Sequence, residues 1–169
     1  MLLPAVAVLP TTQARLSLLL ALRRGDLAPL GLPQAGVFLE ADEARQIREA
    51  VALVRAATAP GEPIFAYPAA PGFYYLADRP NPTRHNHLFA GMATPADQQE
   101  MVRQLEAVRC VVWDYPGSLS SVRPGDNAPL TEYIRTHFYV HGVAGPYAVL
   151  TRDPAGAELR YPPPAGRES

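Results

Sequence analysis

Two short runs of apolar residues, Ile64–Tyr67 and Val108–Asp114, constrain the fold of this chain more than any other feature. Both are rich in β-branched and aromatic residues, which predicts strands that are buried on both faces. Between them, Thr94-Pro95-Ala96-Asp97 has the pattern of a helix start, with a hydroxyl cap, a proline and an acid three residues after the cap. A strand, a helix and a second strand in this order predict two parallel strands joined by a right-handed crossover.

The remaining patterns add helices and a terminal hairpin to this unit. Asp42 is predicted to cap an amphipathic helix that ends near Ala57, and a shorter helix is predicted over Leu130–His137. Phe138–Ala144 and Tyr147–Arg152 flank a Gly-Pro turn and predict an antiparallel hairpin. We therefore expect an α/β protein with a small, mostly parallel layered sheet, flanking helices and a C-terminal antiparallel hairpin.

Three regions are expected along the 169 residues. Residues 1–35 form an apolar appendage and a Pro/Gly linker, residues 36–152 form the α/β domain, and residues 153–169 form a Pro-rich tail that is extended or disordered. Within the first region, Met1–Leu9 and Leu16–Leu22 are apolar but far shorter than the ~20 residues of a membrane helix. Residues 1–22 are thus either a hydrophobic flap or the exit of a membrane segment, which would place the domain near a membrane.

The stretch from Tyr67 to His87 combines aromatic residues, prolines and arginines at unusual density. Pro80 and Pro82 restrict the backbone around Asn81, which predicts a stiff loop. Because parallel strands end at the same edge of a sheet, Tyr67 and Asp114 should lie on one rim with this loop beside them. Binding groups are often found on such rims.

The candidate binding residues are those that this rim and loop would present: Tyr67, Tyr75, Arg79, Asn81, Arg84, His85 and Asp114. The arginines either bind a phosphate or carboxylate or form ion pairs within the loop. The tyrosines either line a groove for a sugar or lipid chain or belong to the core. Asp114 is either a functional acid at a strand end or the cap of the turn that follows it.

The histidines and the single cysteine offer little catalytic chemistry. The pairs His85/His87 and His137/His141 have spacings that could converge on zinc, but ordinary hydrogen-bonded histidines are the default and no metal is expected. Cys110 is the sole cysteine, so the chain cannot form an intramolecular disulfide. Its position in an apolar run predicts a buried thiol. Phosphate-loop, dinucleotide-binding and nucleophile-elbow motifs are absent from the sequence, so no cofactor is expected.

The overall charge does not favour a nucleic-acid partner. The formal net charge is −1, and all 15 basic residues are arginine. With many alanines and 19 prolines, this composition is typical of a GC-rich coding bias, so the arginine count is weak evidence for phosphate binding. Neither nucleic acid nor anionic lipid should be attracted by a strong field.

The order of several short motifs resembles the soluble C-terminal domain of bacterial membrane glycosyltransferases. These are the protein O-mannosyltransferase-like and dolichyl-phosphate-mannose-mannosyltransferase-like proteins of the C superfamily. The resemblance covers residues 36–152. It rests on the following segments: Gly36-Val37 before the Asp42 helix, Pro60–Phe65, Pro68–Arg84 with its Phe-Tyr-Tyr-Leu and Asn-Pro-Thr-Arg, the Thr94–Ala107 helix before Val111-Val112-Trp113, and Tyr133-Ile134.

The resemblance implies an extracytoplasmic α/β domain that follows a bundle of membrane helices. Such enzymes use polyprenyl-phosphate sugar donors, and their catalytic acid lies in a first extracytoplasmic loop that this sequence does not contain. No catalytic residue can therefore be assigned here. The first hypothesis is a non-catalytic domain that shapes the binding of an acceptor glycan or polypeptide, or contacts the helix bundle itself.

The second hypothesis is a stand-alone α/β module that binds a small sugar or anionic ligand at the same rim. In that case the chain would be cytoplasmic, because no signal peptide is visible. A small enzyme that uses His85, His87 or Asp114 is the third and least supported reading, since no nucleophile–base pair can be identified.

Overall fold

A computed structural model describes residues 20–21, 23–89, 91–114 and 127–154 of the chain. The helices are α1 (Ala41–Ala57), α2 (Gly72–Ala77), α3 (Pro95–Leu105) and α4 (Ala128–His137). The strands are β1 (Leu27–Pro29), β2 (Phe38–Glu40), β3 (Ile64–Tyr67), β4 (Cys110–Asp114), β5 (Tyr139–Ala144) and β6 (Tyr147–Thr151). The predicted α/β class, the helix between the two buried strands and the terminal hairpin are confirmed.

The main sheet is mixed, with the strand order β3-β4-β6-β5. β3 and β4 are parallel, with Tyr67 opposite Trp113, whereas β4–β6 and β6–β5 are both antiparallel. The predicted mostly parallel sheet is therefore not confirmed. The physical reason is the tight turn at Gly145-Pro146, which returns β6 antiparallel to β5 and inserts it beside β4.

Helices cover both faces of this sheet, and each face has its own apolar core. On one face, α1 and α2 pack against Ile64, Ala66, Cys110, Val112 and Val149. On the other face, α3 and α4 pack against side chains of alternate parity, namely Phe65, Tyr67, Val111, Trp113, Ala148 and Leu150. The alternation of strand side chains thus decides which residues belong to which layer.

The sequence predicted the N-terminal cap of α3 correctly but not that of α1. α3 begins with the predicted capping box, in which Thr94 Oγ1 accepts from the amide of Asp97 and Asp97 accepts from the amide of Thr94. α1 begins one residue before Asp42, and the side chain of Glu40 makes no cap hydrogen bond. The predicted cap at Asp42 is wrong: this residue lies in the first helical turn and pairs with Arg45 at 3.1 Å.

The region before Gly36 contains an element that the sequence did not predict. β1 and β2 form an antiparallel two-stranded ribbon that joins residues on both sides of Gly36. Leu30 is only 2% exposed, and Arg48 of α1 donates to Pro29 O at 3.1 Å. The predicted linker is thus packed onto the α/β domain over these residues.

The outer regions fall mostly beyond the described residues. Within the predicted apolar appendage, residues 20, 21, 23 and 24 are helical. Most of the predicted tail, residues 155–169, lies outside the described residues, as do residues 115–126 after β4. Among the helices that the structure does describe, none has the length and hydropathy needed to cross a membrane.

Candidate functional site

The carboxyl ends of β3 and β4 bring Tyr67 and Asp114 to the same edge of the sheet, in agreement with the predicted rim. Their side chains nevertheless lie on opposite faces. Tyr67 belongs with its partner Trp113 to the core beneath α3 and α4. Asp114, one residue after Trp113, faces the layer of α1 and α2. The rim therefore consists of two separate environments.

Asp114, the last residue of β4, has little exposed surface, and no counterion for its carboxylate is found among the described residues. Its residue is 9% exposed, and none of the hydrogen bonds or ion pairs of the described residues involves its side chain. Burial raises the pKa of the Asp114 carboxyl above its ordinary value, because burial removes hydration from the charged form. An acid with a shifted pKa at a strand end is a candidate for function.

Tyr147 lies directly opposite Asp114 in the β4–β6 register, so the two side chains share a face of the sheet. The Tyr147 ring packs edge-on against Phe73, with 4.8 Å between ring centroids. Burial raises the pKa of Tyr147, and the negative charges of Asp114 and Glu43 raise it further. On α1, Gln46 lies against Gly145, at the turn before Tyr147.

We call the group Asp114, Tyr147, Phe73, Glu43 and Gln46 the Asp114 corner. Of these five residues, only Asp114 was predicted from the sequence as a binding residue. Tyr147 and Glu43 were missed because they lie far from the 67–87 loop in sequence. The predicted hairpin could have identified Tyr147. If its second strand is placed next to β4, Tyr147 lies opposite Asp114.

Tyr67 has the contacts of a core residue. It is 3% exposed, its hydroxyl lies 2.6 Å from Thr131 Oγ1, and its ring packs edge-on against Trp113 at 5.2 Å. A buried tyrosine normally has such a polar partner for its hydroxyl. This position favours the core reading over the predicted groove.

Arg79 lies inside the protein. It is 8% exposed and donates from Nε and Nη2 to Thr58 Oγ1 and Thr58 O, at 2.9 and 3.0 Å. Nη1 donates to Ala77 O and Asp78 O at 3.2 and 2.9 Å. Its donors are thus directed at neutral oxygens just after α1 and at the end of α2, so Arg79 holds these two segments together.

Asn81 organises the predicted stiff loop from within. Its Oδ1 accepts from Thr83 N and Oγ1 at 2.9 and 3.0 Å, and its Nδ2 donates to His85 O at 2.8 Å. Arg84 is exposed, forms an ion pair with Asp97 and donates from Nε to His85 Nε2 at 3.2 Å. Arg84, His85 and Asp97 line a hollow of about 330 Å³ against α3.

Tyr75 occupies a third location. Its side chain is 63% exposed, and its hydroxyl donates to Gln34 O at 2.6 Å. It lines an open hollow of about 450 Å³ together with a second predicted binding residue, Arg79, and with Gln34, Gly61, Tyr74, Asp78 and Pro80. Of the seven predicted binding residues, Tyr75 and Arg79 thus share one hollow and Arg84 and His85 share another, but the seven do not form one pocket.

The four histidines are not brought together. His85 lies in the loop, and the His87 ring contacts Phe89 with 4.9 Å between centroids. His137 stacks on Tyr133 within α4, and His141 is exposed on β5. Within the described ranges no group of three or more His, Cys, Asp or Glu side chains could hold a metal ion. The zinc alternative therefore has no support from the geometry.

No protein family matches the chain, and neither a curated protein nor a solved structure shows significant similarity to it. The Asp114 corner combines a phenol and an aromatic edge with a carboxylate that has no hydrogen bond or ion pair among the described residues. Such an arrangement can accept hydrogen bonds from a ligand and pack against its apolar face.

Proposed function

We propose that this chain is a non-catalytic binding domain, and that the Asp114 corner receives a glycan whose hydroxyl or amino groups donate hydrogen bonds to the carboxylate. The observation that carries the proposal is that Asp114, a residue only 9% exposed, has no side-chain hydrogen bond or ion pair among the described residues. Transferring a charged group out of water without a partner is costly. A ligand with hydrogen-bond donors would remove that cost.

The aromatic neighbours fit the same ligand class. Tyr147 is half-buried and Phe73 supports its ring edge-on. Aromatic side chains at binding sites offer an apolar face together with a polar tip. A sugar ring has matching parts, because its C–H face is apolar and its hydroxyls are donors.

The alternative of a small anionic ligand receives less support. It depended on the arginines of the loop, but Arg79 is buried against neutral oxygens and Arg84 is paired with Asp97. The described surroundings of Asp114 are acidic and would repel an anion. A polyol or a cation is the better match for this corner.

The proposal assigns no bond-breaking step to the chain. The thiol of Cys110 is buried and its pKa is raised to about 12, so it is not a nucleophile. Among the described residues, no base or nucleophile is hydrogen-bonded to Asp114. Binding without catalysis is therefore the function that we assign.

The resemblance to membrane glycosyltransferases extends this proposal to a biological setting. A glycan-binding α/β domain would act on the acceptor side of a polyprenyl-phosphate-sugar-dependent enzyme, at the extracytoplasmic face of a bacterial membrane. The partner would be the helix bundle or its acceptor. An adjacent or upstream reading frame that encodes many membrane helices is expected, and a genomic region without one would remove this part of the proposal.

A direct test is binding to an array of immobilised oligosaccharides. The unmodified chain should retain at least one neutral or cationic glycan, and Asp114→Ala should weaken that binding about tenfold or more, a loss of roughly 1.4 kcal/mol. Glu106→Gln is the matched control, because Glu106 is exposed and its carboxylate makes no described contact. Retention of no glycan, or equal binding by Asp114→Ala, would refute the proposal.

A further inference from the structure

The hollow lined by Tyr75 and Arg79 contains a buried acceptor that has no donor. Gln34 lines this hollow, and its Oε1 is buried and forms no hydrogen bond among the described residues. The backbone oxygen of Gln34, in contrast, accepts from the Tyr75 hydroxyl at 2.6 Å. Leaving a buried carbonyl oxygen without a donor is costly, so a ligand that donates to Gln34 Oε1 would be stabilised there.

Arg79 supplies the complementary group to the same hollow. It is 8% exposed, and its described hydrogen bonds go to Thr58 Oγ1, Thr58 O, Ala77 O and Asp78 O. Nη2 carries two N–H groups, and its one described acceptor is Thr58 O. One N–H of Nη2 therefore has no acceptor in the described part of the chain. The hollow thus combines an acceptor on Gln34 with a donor on Arg79.

The rest of the lining limits the kind of ligand. It includes Tyr74, Tyr75 and Pro80 and is mostly apolar. Asp78 and Arg79 carry opposite charges, so the hollow favours an uncharged group. A sugar would bury hydroxyls for which these apolar walls offer no partners. A peptide unit has only one N–H and one C=O to satisfy, which matches the two polar groups.

We propose that this hollow binds an uncharged, extended peptide segment with an apolar side chain. A peptide N–H donates to Gln34 Oε1, which protein atoms now cover, after the amide turns about its soft terminal torsion. A peptide carbonyl accepts from Arg79 Nη2, and the apolar side chain packs on the Tyr75 ring, which is 63% exposed. The hollow shares no residue with the Asp114 corner, so this inference goes beyond the glycan-binding function.

The test is an NMR titration of the isotope-labelled full chain with N-acetyl-leucine N-methylamide. The side-chain amide signals of Gln34 and the backbone signal of Tyr75 should shift, with a Kd on the order of 1 mM, as is usual for so small a ligand. Two relatives of the probe each lack one feature. Methylation of both amide nitrogens removes the donors, and N-acetyl-glycine N-methylamide lacks the apolar side chain. Each should bind about fivefold more weakly or worse.

Three variants test the residues that hold the peptide. Gln34→Leu has a side chain of similar size without the unpaired oxygen, so it should stay folded and bind the leucine probe about fivefold more weakly. Tyr75→Ala removes the exposed ring and should weaken binding about tenfold. Val143→Ala is the matched control, because it shortens an apolar side chain that is 64% exposed on β5, and its affinity should not change. Thermal unfolding verifies that each variant is folded.

Several results would overturn the inference. These are the absence of shifts from the residues that line the hollow, equal binding of the N-methylated probe, and unchanged affinity in either Gln34→Leu or Tyr75→Ala. N-Acetylglucosamine, which carries the same amide group on a sugar, is titrated in parallel, and tighter binding of this sugar at the same signals would also refute the peptide assignment. Asp114→Asn should bind the leucine probe like the unmodified chain, so the outcome is independent of the glycan-binding proposal.

Discussion

Arg79 is a buried cation whose described hydrogen-bond partners are all neutral. Its guanidinium connects Thr58, just after α1, to the carbonyls at the end of α2. Arg84, five residues later, is largely exposed and forms a surface ion pair with Asp97. The two side chains have the same chemistry but very different surroundings, so their removal should have different consequences.

We expect Arg79→Ala to lower the free energy of unfolding by about 3 kcal/mol, because it removes the side-chain donor of Thr58 O and Asp78 O and opens a cavity. Arg84→Ala should change it by less than about 1 kcal/mol, as is usual for an exposed pair. Denaturant titration of both variants measures the difference. Equal destabilisation by the two substitutions would contradict the structural role of Arg79.

Asp114 makes the stability of the fold depend on pH in an unusual direction. Its folded-state pKa is raised above the ordinary value of 3.8, so its contribution to stability is present below that value and is lost as the pH rises through the folded pKa. Asp114→Asn should therefore raise the melting temperature by roughly a few degrees near pH 7, and the gain should shrink toward about pH 3.

The control for this pH dependence is Glu106→Gln, which should change the melting temperature little at either pH. Thermal melts at several pH values provide the measurement. A melting temperature of Asp114→Asn that falls near neutral pH would show that the carboxylate has a stabilising partner. That result would also weaken the argument for a ligand at the Asp114 corner.

At the scale of elements, the outer edge of β3 is closed by the segment that follows it. The amide of Ile64 donates to Pro80 O at 3.1 Å, and the amide of Ala66 donates to the Tyr74 hydroxyl at 3.0 Å. Leu88 N donates to Pro68 O at 2.8 Å just beyond the strand. Exposed strand edges can pair with strands of other chains, so this segment protects the sheet against such association.

The substitution Tyr74→Phe tests whether the Tyr74 hydroxyl protects the edge of β3. Loss of the hydroxyl leaves the Ala66 amide without an acceptor, which should cost about 1–2 kcal/mol and speed hydrogen exchange at Ala66. Tyr75→Phe is the matched control, because Tyr75 is exposed and its hydroxyl donates to Gln34 O outside the sheet. Unchanged exchange at Ala66 in Tyr74→Phe would show that the hydroxyl does not seal the edge.

The elements that the sequence predicted are those with strong local signals. The capping box at Thr94, the apolar runs of β3 and β4 and the turn at Gly145 all act through neighbouring residues. Strand order is not a local property, so the insertion of β6 between β4 and β5 was not foreseen. The ribbon β1–β2 was missed because its strands are three residues each and lie in a Pro/Gly-rich stretch.

At the scale of the whole molecule, local sequence signals also did not predict which residues of the candidate site lie together. The sequence placed Tyr67 and Asp114 at one edge, but the faces they occupy follow from side-chain alternation combined with the helices above each face. Arg79 looked available because a loop position does not reveal burial. The Asp114 corner unites residues from α1, α2, β4 and β6, and only the folded chain brings those four elements together.

The reactivity of Cys110 can report how the main sheet and the helices packed on it unfold. It lies in β4 beneath α1, is 0% exposed, and has a pKa raised to about 12, chiefly by burial. Since the thiolate is the reactive form, a thiol reagent should modify the folded protein very slowly near neutral pH. Modification then requires opening that exposes β4, which is paired on both sides within the sheet.

We therefore expect the modification rate of Cys110 to equal the intrinsic thiol rate multiplied by the unfolded fraction, and to rise with denaturant at the slope of global unfolding. A Val143→Cys variant supplies an internal standard, because Val143 is 64% exposed and a thiol there should react at nearly the intrinsic rate. The variant should show one fast and one slow phase of equal amplitude. A fast reaction of Cys110, or a slow rate that is independent of denaturant, would mean that α1 separates from the sheet by local opening, and the two-sided layer would then not unfold as one cooperative unit.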